Sequence, residues 1–216
     1  MTSITVSLPT NATRSSMPKL KGKRALDITL ASLILLAIWP LLLGLAITVR
    51  GTSPGPAFFL QTRIGRHGRP FRMMKFRSMY LDAEERRDAL IALSDREGIC
   101  IKIRNDPRVT PIGRFIRRWS LDELPQLFNV LRGDMSLVGP RPALLEEVEA
   151  YPAHAHRRHA VPPGITGLWQ VSGRADIGFA EMIALDLSYV ERTSPWLDIT
   201  ILFRTAGAVL HGKGAY

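Results

Sequence analysis

The chain has 216 residues, 46% of them hydrophobic, and carries 29 basic against 19 acidic side chains for a formal charge of +10. That length suits one domain with a substantial core, and a single cysteine, Cys100, excludes an internal disulfide and fits a reducing, cytosol-facing compartment. The charge suggests nucleic acid until it is located: residues 1–81 hold twelve basic side chains and one acid, Asp27, while the remainder holds 17 and 18, so the excess flanks a single apolar run and points to anionic lipid headgroups.

Residues 1–22 begin rich in Ser, Thr, Pro and Asn and predict a disordered tail. Residues 23–50 contain "ITLASLILLAIWPLLLGLAITV" (Ile28 to Val49), 22 residues without a charge. As a helix this run is about 33 Å long, matching a hydrocarbon core of about 30 Å. It lacks a small-residue cleavage site before Arg50, which disfavours a signal peptide. Pro40 cannot donate to the Leu36 carbonyl, and both flanks are basic, so the positive-inside rule asks both ends to stay on one side. A straight span would export five basic residues. The expectation is therefore a re-entrant membrane helix broken at Pro40, followed by a cytosolic domain over residues 51–216.

Within that domain "AFFLQTRIGRHGRPFRMMKFRSM" predicts a strand, a Gly-rich basic turn and a second strand, and "DAEERRDALIAL" predicts a polar amphipathic helix. Thr110 and Pro111 supply a cap and a first-turn proline for a short helix. Its Ile112, Phe115, Ile116 and Trp119 alternate with Arg114, Arg117 and Arg118, which suits the core or the membrane surface equally. Pro162-Pro163-Gly164 predicts a loop, Phe179 to Arg192 a helix, and Trp196 to Leu210 a last apolar helix that Asp198 and Arg204 make a poor span. The fold class expected is α+β, mainly helical, with interfacial amphipathic helices. "HAHRRH" (His154 to His159) is a weak metal candidate because two arginines intervene.

The chemistry concentrates in "RRWSLDELPQLF" (Arg117 to Phe128), where Asp122 and Glu123 stand side by side behind two arginines. Ser120-Leu121-Asp122-Glu123 fits a capping box, in which both carboxylates merely favour a helix N-terminus. Pro125 argues for a helix that starts nearer itself, with Leu124, Leu127, Phe128 and Leu131 at helical spacing and Gly133 as the stop. Local pattern alone does not separate a cap from a catalyst. Downstream, Gly139-Pro140-Arg141-Pro142 holds one arginine in a stiff backbone, either a loop brace or a pre-oriented guanidinium matched to phosphate oxygens.

These residues resemble the bacterial sugar transferases, the monotopic phosphoglycosyl transferases that begin polysaccharide assembly on a polyprenyl carrier. The matching pieces are "KRALDI" (Lys23 to Ile28), "MKFRSM" (Met74 to Met79), "DPRVTPIGRFIRRWSLDELPQLFNVLRGDMSLVGPRP" (Asp106 to Pro142) and "PGITGLWQVSGR" (Pro163 to Arg174). The length and single apolar segment resemble the exopolysaccharide-initiating members. One departure is Trp39, where members often carry a small polar residue before the break proline.

The resemblance implies a bacterial inner-membrane enzyme, its catalytic domain (51–216) on the cytoplasmic face, that transfers a sugar-1-phosphate from a UDP-sugar, a hexose, to polyprenyl (undecaprenyl) phosphate. Asp122 matches the family's nucleophile, forming a phospho-aspartyl intermediate and expelling UMP, and Glu123 matches the second member of the dyad. Both would hold Mg²⁺, and Arg117, Arg141 and Arg174 would bind phosphate. The partners implied are the UDP-sugar, polyprenyl phosphate and membrane lipids, with a homodimer left open and no nucleic acid. Physically, a carboxylate at a helix N-terminus beside arginines is expected to remain ionised at neutral pH. Adjacent carboxylates on a regular helix diverge by about 100°, so the two roles need irregular backbone there. Two competing functions are a non-catalytic membrane-anchored scaffold, whose dyad is only a cap, and a basic nucleic-acid binder, which lacks a base-stacking aromatic pattern.

Overall fold

A computed structural model describes residues 20–90, 103, 106–173 and 177–210. Most of the N-terminal tail, Cys100 and Arg174 lie outside the described residues.

The first helix, α1 (Leu20–Thr52), runs 33 residues without interruption and contains Pro40. Any change of direction at Pro40 is therefore a bend within a helix, not a gap between two. Its sequence is apolar on every side, yet only one stripe meets protein. Asp27, Ala31, Leu35, Ile38, Leu42, Leu45 and Val49 recur at spacings of three and four and are buried or partly buried. Leu33, Leu36, Trp39, Leu43 and Ile47 on the other faces are 54–72% exposed. Only 17% of the helix's most apolar window is buried, which distinguishes it from the core helix of a soluble fold.

Both ends of α1 dock onto the rest of the chain. At the N-terminal end Lys23 Nζ bonds Val138 O at 2.9 Å and Asp198 Oδ2 at 2.6 Å. Nearby, Asp27 Oδ1 accepts Ser136 Oγ and Leu137 N at 3.0 Å each. At the C-terminal end Leu45 and Val49 share a cluster with Phe76 and Ile116, and Arg77 Nη2 donates to Ser53 O at 2.8 Å.

The expected hairpin forms from β1 (Phe58–Ile64) and β2 (Pro70–Phe76), antiparallel with Phe58 opposite Phe76 and Ile64 opposite Pro70. Its turn needs positive φ at His67 (57°) and Gly68 (74°), which the glycine accepts without strain. The predicted polar helix over "DAEERRDALIAL" falls partly outside the described residues, which end at residue 90 here. Its described part is a 3₁₀ turn (Leu81–Ala83), then α2 (Arg87–Leu90) of one turn.

Helix α3 (Pro111–Arg118) starts as expected, with Thr110 Oγ1 accepting the Gly113 N–H at 2.9 Å. Its two candidate roles divide between its faces. Ile112 and Ile116 pack inward, while Phe115 (53%) and Trp119 (36%) stay exposed beside Arg114 and Arg118. Helix α4 (Gln126–Arg132) ends at Gly133 in left-handed conformation, φ 98°. Arg24 of α1 caps its last turn through Val130 O at 2.5 Å and Leu131 O at 2.8 Å.

Pro162-Pro163-Gly164 is not simply a loop. Gly164 begins β4 (Gly164–Thr166), which pairs in parallel with β3 (Ser136–Val138). A Cβ on Gly164 would lie 2.1 Å from Gly139 N, so glycine is what lets the two backbones approach. The remaining helices among the described residues are α5 (Leu145–Glu149), a 3₁₀ helix (Ala153–Ala160), α6 (Leu168–Ser172), α7 (Phe179–Arg192) and α8 (Pro195–Leu210). Asp198 of α8 faces inward to Lys23, while Trp196 (77%) and Phe203 (76%) face out, so α8 packs one side against the rest of the chain.

Candidate active site

Two elements converge on the acidic pair. Strand β2 brings Lys75 and leads to Ser78; α3 brings Arg117 and hands the chain to the dyad. After Arg118 the backbone turns at Ser120, which sits in the left-handed region (φ 54°, ψ 23°), sparsely populated for a non-glycine residue. Leu121–Glu123 is then a 3₁₀ turn, and α4 begins at Gln126 behind Pro125. The irregular backbone required by two diverging roles is present.

The capping box is not formed. Ser120 makes no side-chain cap hydrogen bond, and only its carbonyl accepts the Glu123 N–H at 3.3 Å. Glu123 instead takes Lys75 Nζ at 2.8 Å through Oε1. Asp122 is 8% exposed, and no side chain among the described residues hydrogen-bonds its carboxylate.

Burial dominates the electrostatics of Asp122 and pushes its carboxyl up to about 6; Lys75 and Arg117 oppose this and Glu123 adds to it. The cations beside Asp122 do not outweigh its desolvation, yet the carboxylate remains mostly ionised at neutral pH, as the sequence-based reading expects. Glu123 is held low although burial opposes it, because Lys75 pairs with it and Arg141 and Arg63 act on it through space.

Arg117 Nε donates to Ser78 Oγ at 2.8 Å, so its guanidinium is anchored beside Asp122. Arg141 makes no hydrogen bond to the pair. Its Nη1 contacts Glu147 Oε1 and Oε2 at 3.1 and 2.9 Å, and its charge reaches Glu123 through space. The structure therefore gathers Asp122, Glu123, Arg117 and Arg141 about one centre; Arg174 lies outside the described residues.

Sequence reasoning did not single out Lys75, Arg63 or Glu147. Arg63 is 8% exposed, donates to Pro142 O at 3.1 Å and acts on both Glu123 and Glu147. The available signal was a basic residue on each strand of an otherwise half-apolar hairpin, where a long cation is unexpected unless it has a partner.

For a divalent cation, Glu123 Oε2 and the Asp122 carboxylate are the nearby acceptors, and Lys75 competes for Oε1. Among the described residues no group of three or more His, Cys, Asp or Glu is placed to hold a metal. The donor set fits Mg²⁺ only as an ion shared with substrate phosphates, the usual arrangement when one or two carboxylates bind it.

The model of the family "Bacterial sugar transferase" matches residues 18–212. The galactosyl transferase CpsE of Streptococcus agalactiae serotype III is 48% identical over 90% of the chain and 43% of its own length. An undecaprenyl-phosphate galactose phosphotransferase of Salmonella typhimurium is 47% identical over 90% of the chain and 41% of its own length. The exopolysaccharide production protein ExoY of Rhizobium meliloti is 40% identical over 90% of the chain and 88% of its own length. The chain thus spans about two fifths of the first two relatives and most of the third.

Proposed function

The chain belongs to the bacterial sugar transferase family, and on that premise we propose that it transfers a sugar-1-phosphate from a UDP-hexose to undecaprenyl phosphate, initiating exopolysaccharide or related glycoconjugate assembly. The observation that carries the proposal is the Asp122 carboxylate: buried, without a side-chain hydrogen-bond partner among the described residues, and within electrostatic reach of Lys75 and Arg117. A structural aspartate in such a place would usually be paired with a side-chain cation; this one has only a backbone N–H on its carboxylate and remains available for bonding.

In the first step the ionised Asp122 attacks the sugar-proximal phosphorus of the UDP-sugar. The bond from that phosphorus to the bridging oxygen breaks, UMP leaves with the electron pair, and a phospho-aspartyl sugar remains. In the second step a phosphate oxygen of undecaprenyl phosphate attacks the same phosphorus, and Asp122 departs as carboxylate. Arg117, held by Ser78, and Arg141, held by Glu147, offset charge on the transferring oxygens, and Lys75 offsets repulsion between the anions. Glu123 and Asp122 would hold Mg²⁺, which when bound neutralises phosphate charge and aligns donor and acceptor.

The placement of α1 supports a re-entrant helix at the cytoplasmic face of the inner membrane. Lys23 and Asp27 at one end and Leu45 and Val49 at the other rest on the same folded domain, whereas a straight span would separate the ends by about 30 Å of hydrocarbon. Trp39 is 60% exposed, which puts it on the outer side of the helix rather than at a freed carbonyl. Exposed Phe115, Trp119, Trp196 and Phe203 suit contact with lipid headgroups and acyl chains. The scaffold alternative loses its main support, because Ser120 does not cap.

The test incubates detergent-solubilised protein with Mg²⁺, undecaprenyl phosphate and a panel of UDP-sugars while following UMP. Release with at least one UDP-hexose, and acid-stable retention of labelled phosphosugar when acceptor is omitted, are expected for the native chain and absent in Asp122→Asn. Release by Asp122→Asn at the native rate would exclude the aspartyl route.

A further inference from the structure

Arg141 is held from two sides by charges that are not part of the dyad. Glu147 is 3% exposed, contacts Arg141 Nη1 with both oxygens, and accepts the Leu144 N–H at 2.8 Å through Oε2. The Arg141 carbonyl accepts Arg158 Nη2 at 2.9 Å. Arg158 is 1% exposed and also bonds the Asp186 carboxylate of α7 and the Tyr151 hydroxyl after α5. The next carbonyl along, Pro142 O, accepts Arg63 Nη1 at 3.1 Å.

A buried ion pair such as Arg158–Asp186, with side chains 0% and 1% exposed, is a poor way to gain stability. Desolvating the two ions costs several kcal/mol each, and an apolar pair of similar volume commonly serves folding as well or better. What such a pair supplies is location. The Arg158 fork joins α7, the segment after α5 and the loop bearing Arg141, so the backbone at Arg141 is tied both to its neighbouring segment and to α7, 45 positions on. Glu147 then sets the guanidinium, and its carboxyl is held down to about 2 chiefly by Arg141, so the pair stays ionised across the whole working pH range. None of these hydrogen bonds is to Asp122.

We propose that Glu147, with the Arg158–Asp186 pair behind it, consists of positioning residues: they orient the Arg141 guanidinium toward the phosphoryl group under transfer. The inference rests on the phosphoryl-transfer function proposed above. Glu147 also tempers the charge of Arg141, so its removal leaves a cation that attracts phosphate at least as strongly but no longer points it. Misplacement of this kind affects the transition state more than the ground state.

The test uses the full chain in nanodiscs and compares Glu147→Gln, Glu147→Asp, Arg141→Ala and the double variant Glu147→Gln/Arg141→Ala, with thermal unfolding as a check on folding. Glu147→Gln is expected to lower kcat for UMP release about 10- to 100-fold, a loss typical of a misplaced catalytic group. Its affinity for UDP, measured by calorimetry, should equal or exceed that of the native chain, and Glu147→Asp should recover part of kcat. The double variant should be no slower than Arg141→Ala alone, because Glu147 acts only through Arg141. Native kcat in Glu147→Gln, effects that multiply in the double variant, or loss of UDP binding in Glu147→Gln would each overturn the inference. A native chain that turns over no UDP-sugar would instead refute the transferase function, and the UDP titration, which needs no turnover, still decides the role of Glu147.

Discussion

Replacing Asp122 by Asn should abolish turnover and make the protein more stable at neutral pH. The carboxyl is raised from its ordinary 3.8 to about 6, with burial as the largest cause. A group raised in the folded state favours folding below its unfolded value and loses that contribution as pH climbs through its folded value. Ionised Asp122 therefore costs the folded chain on the order of 3 kcal/mol at pH 7 to 8, roughly half of that at pH 5 and almost nothing below pH 4. Asparagine occupies the same volume without the charge. For a chain of this size about 3 kcal/mol corresponds to an unfolding temperature about 6–12 °C higher. The assay is thermal unfolding of both proteins in one detergent between pH 4 and pH 8, with UMP release measured alongside. A variant that is no more stable than the native chain at pH 7.5, or whose advantage does not shrink toward pH 4, would refute the view that a desolvated charge is maintained here at the expense of stability.

Other perturbations test neighbouring parts of the same argument. Lys75→Met removes the cation that most opposes the rise of Asp122, so the acidic limb of the rate profile, expected near pH 6 in the native chain, should move to higher pH; an unmoved limb would show that Lys75 does not govern the dyad. Gly113→Ala places a Cβ 1.9 Å from the Ser78 carbonyl oxygen, which should cost about 1–3 kcal/mol in unfolding experiments and lower UMP release, since Ser78 also anchors Arg117. Lys23→Met leaves Asp198 buried without its cation, and a loss of about 3–5 kcal/mol is expected; a loss under about 1 kcal/mol would mean that the Tyr189 hydroxyl, 2.7 Å from Asp198 Oδ1, suffices.

Several local features were legible before any coordinates. Thr110-Pro111 starts α3, Gly133 stops α4, and the Gly-rich basic turn closes the hairpin, because each signal acts within a few residues. The capping-box pattern at Ser120 stayed open in the sequence for the same reason: four residues fit the pattern, but what decides it is that Ser120 is left-handed and Glu123 is taken by Lys75 from 48 positions away. The acidic stretch from Asp82 reads as one helix by composition and is split between a 3₁₀ turn and a short α-helix in its described part, since side-chain polarity carries no information about where the chain must next go. Asp122, Glu123, Arg117 and Arg141 were visible as residue types in a suggestive order. Lys75, Arg63 and Glu147 were not, because their significance lies in what they face.

The order of charges along the chain, the length of its apolar segment, the proline and glycine punctuation and the family resemblance follow from the amino-acid sequence alone, since each depends on residues adjacent or periodic in it. Tertiary structure alone decided that α1 buries one stripe and touches the domain at both ends, that β3 and β4 run in parallel, and that desolvation outweighs nearby cations at Asp122. These outcomes depend on which surfaces lose water to which distant neighbours. A carboxyl's ionisation, a guanidinium's direction and a helix's covered face are set by that exclusion, and no window of sequence contains it.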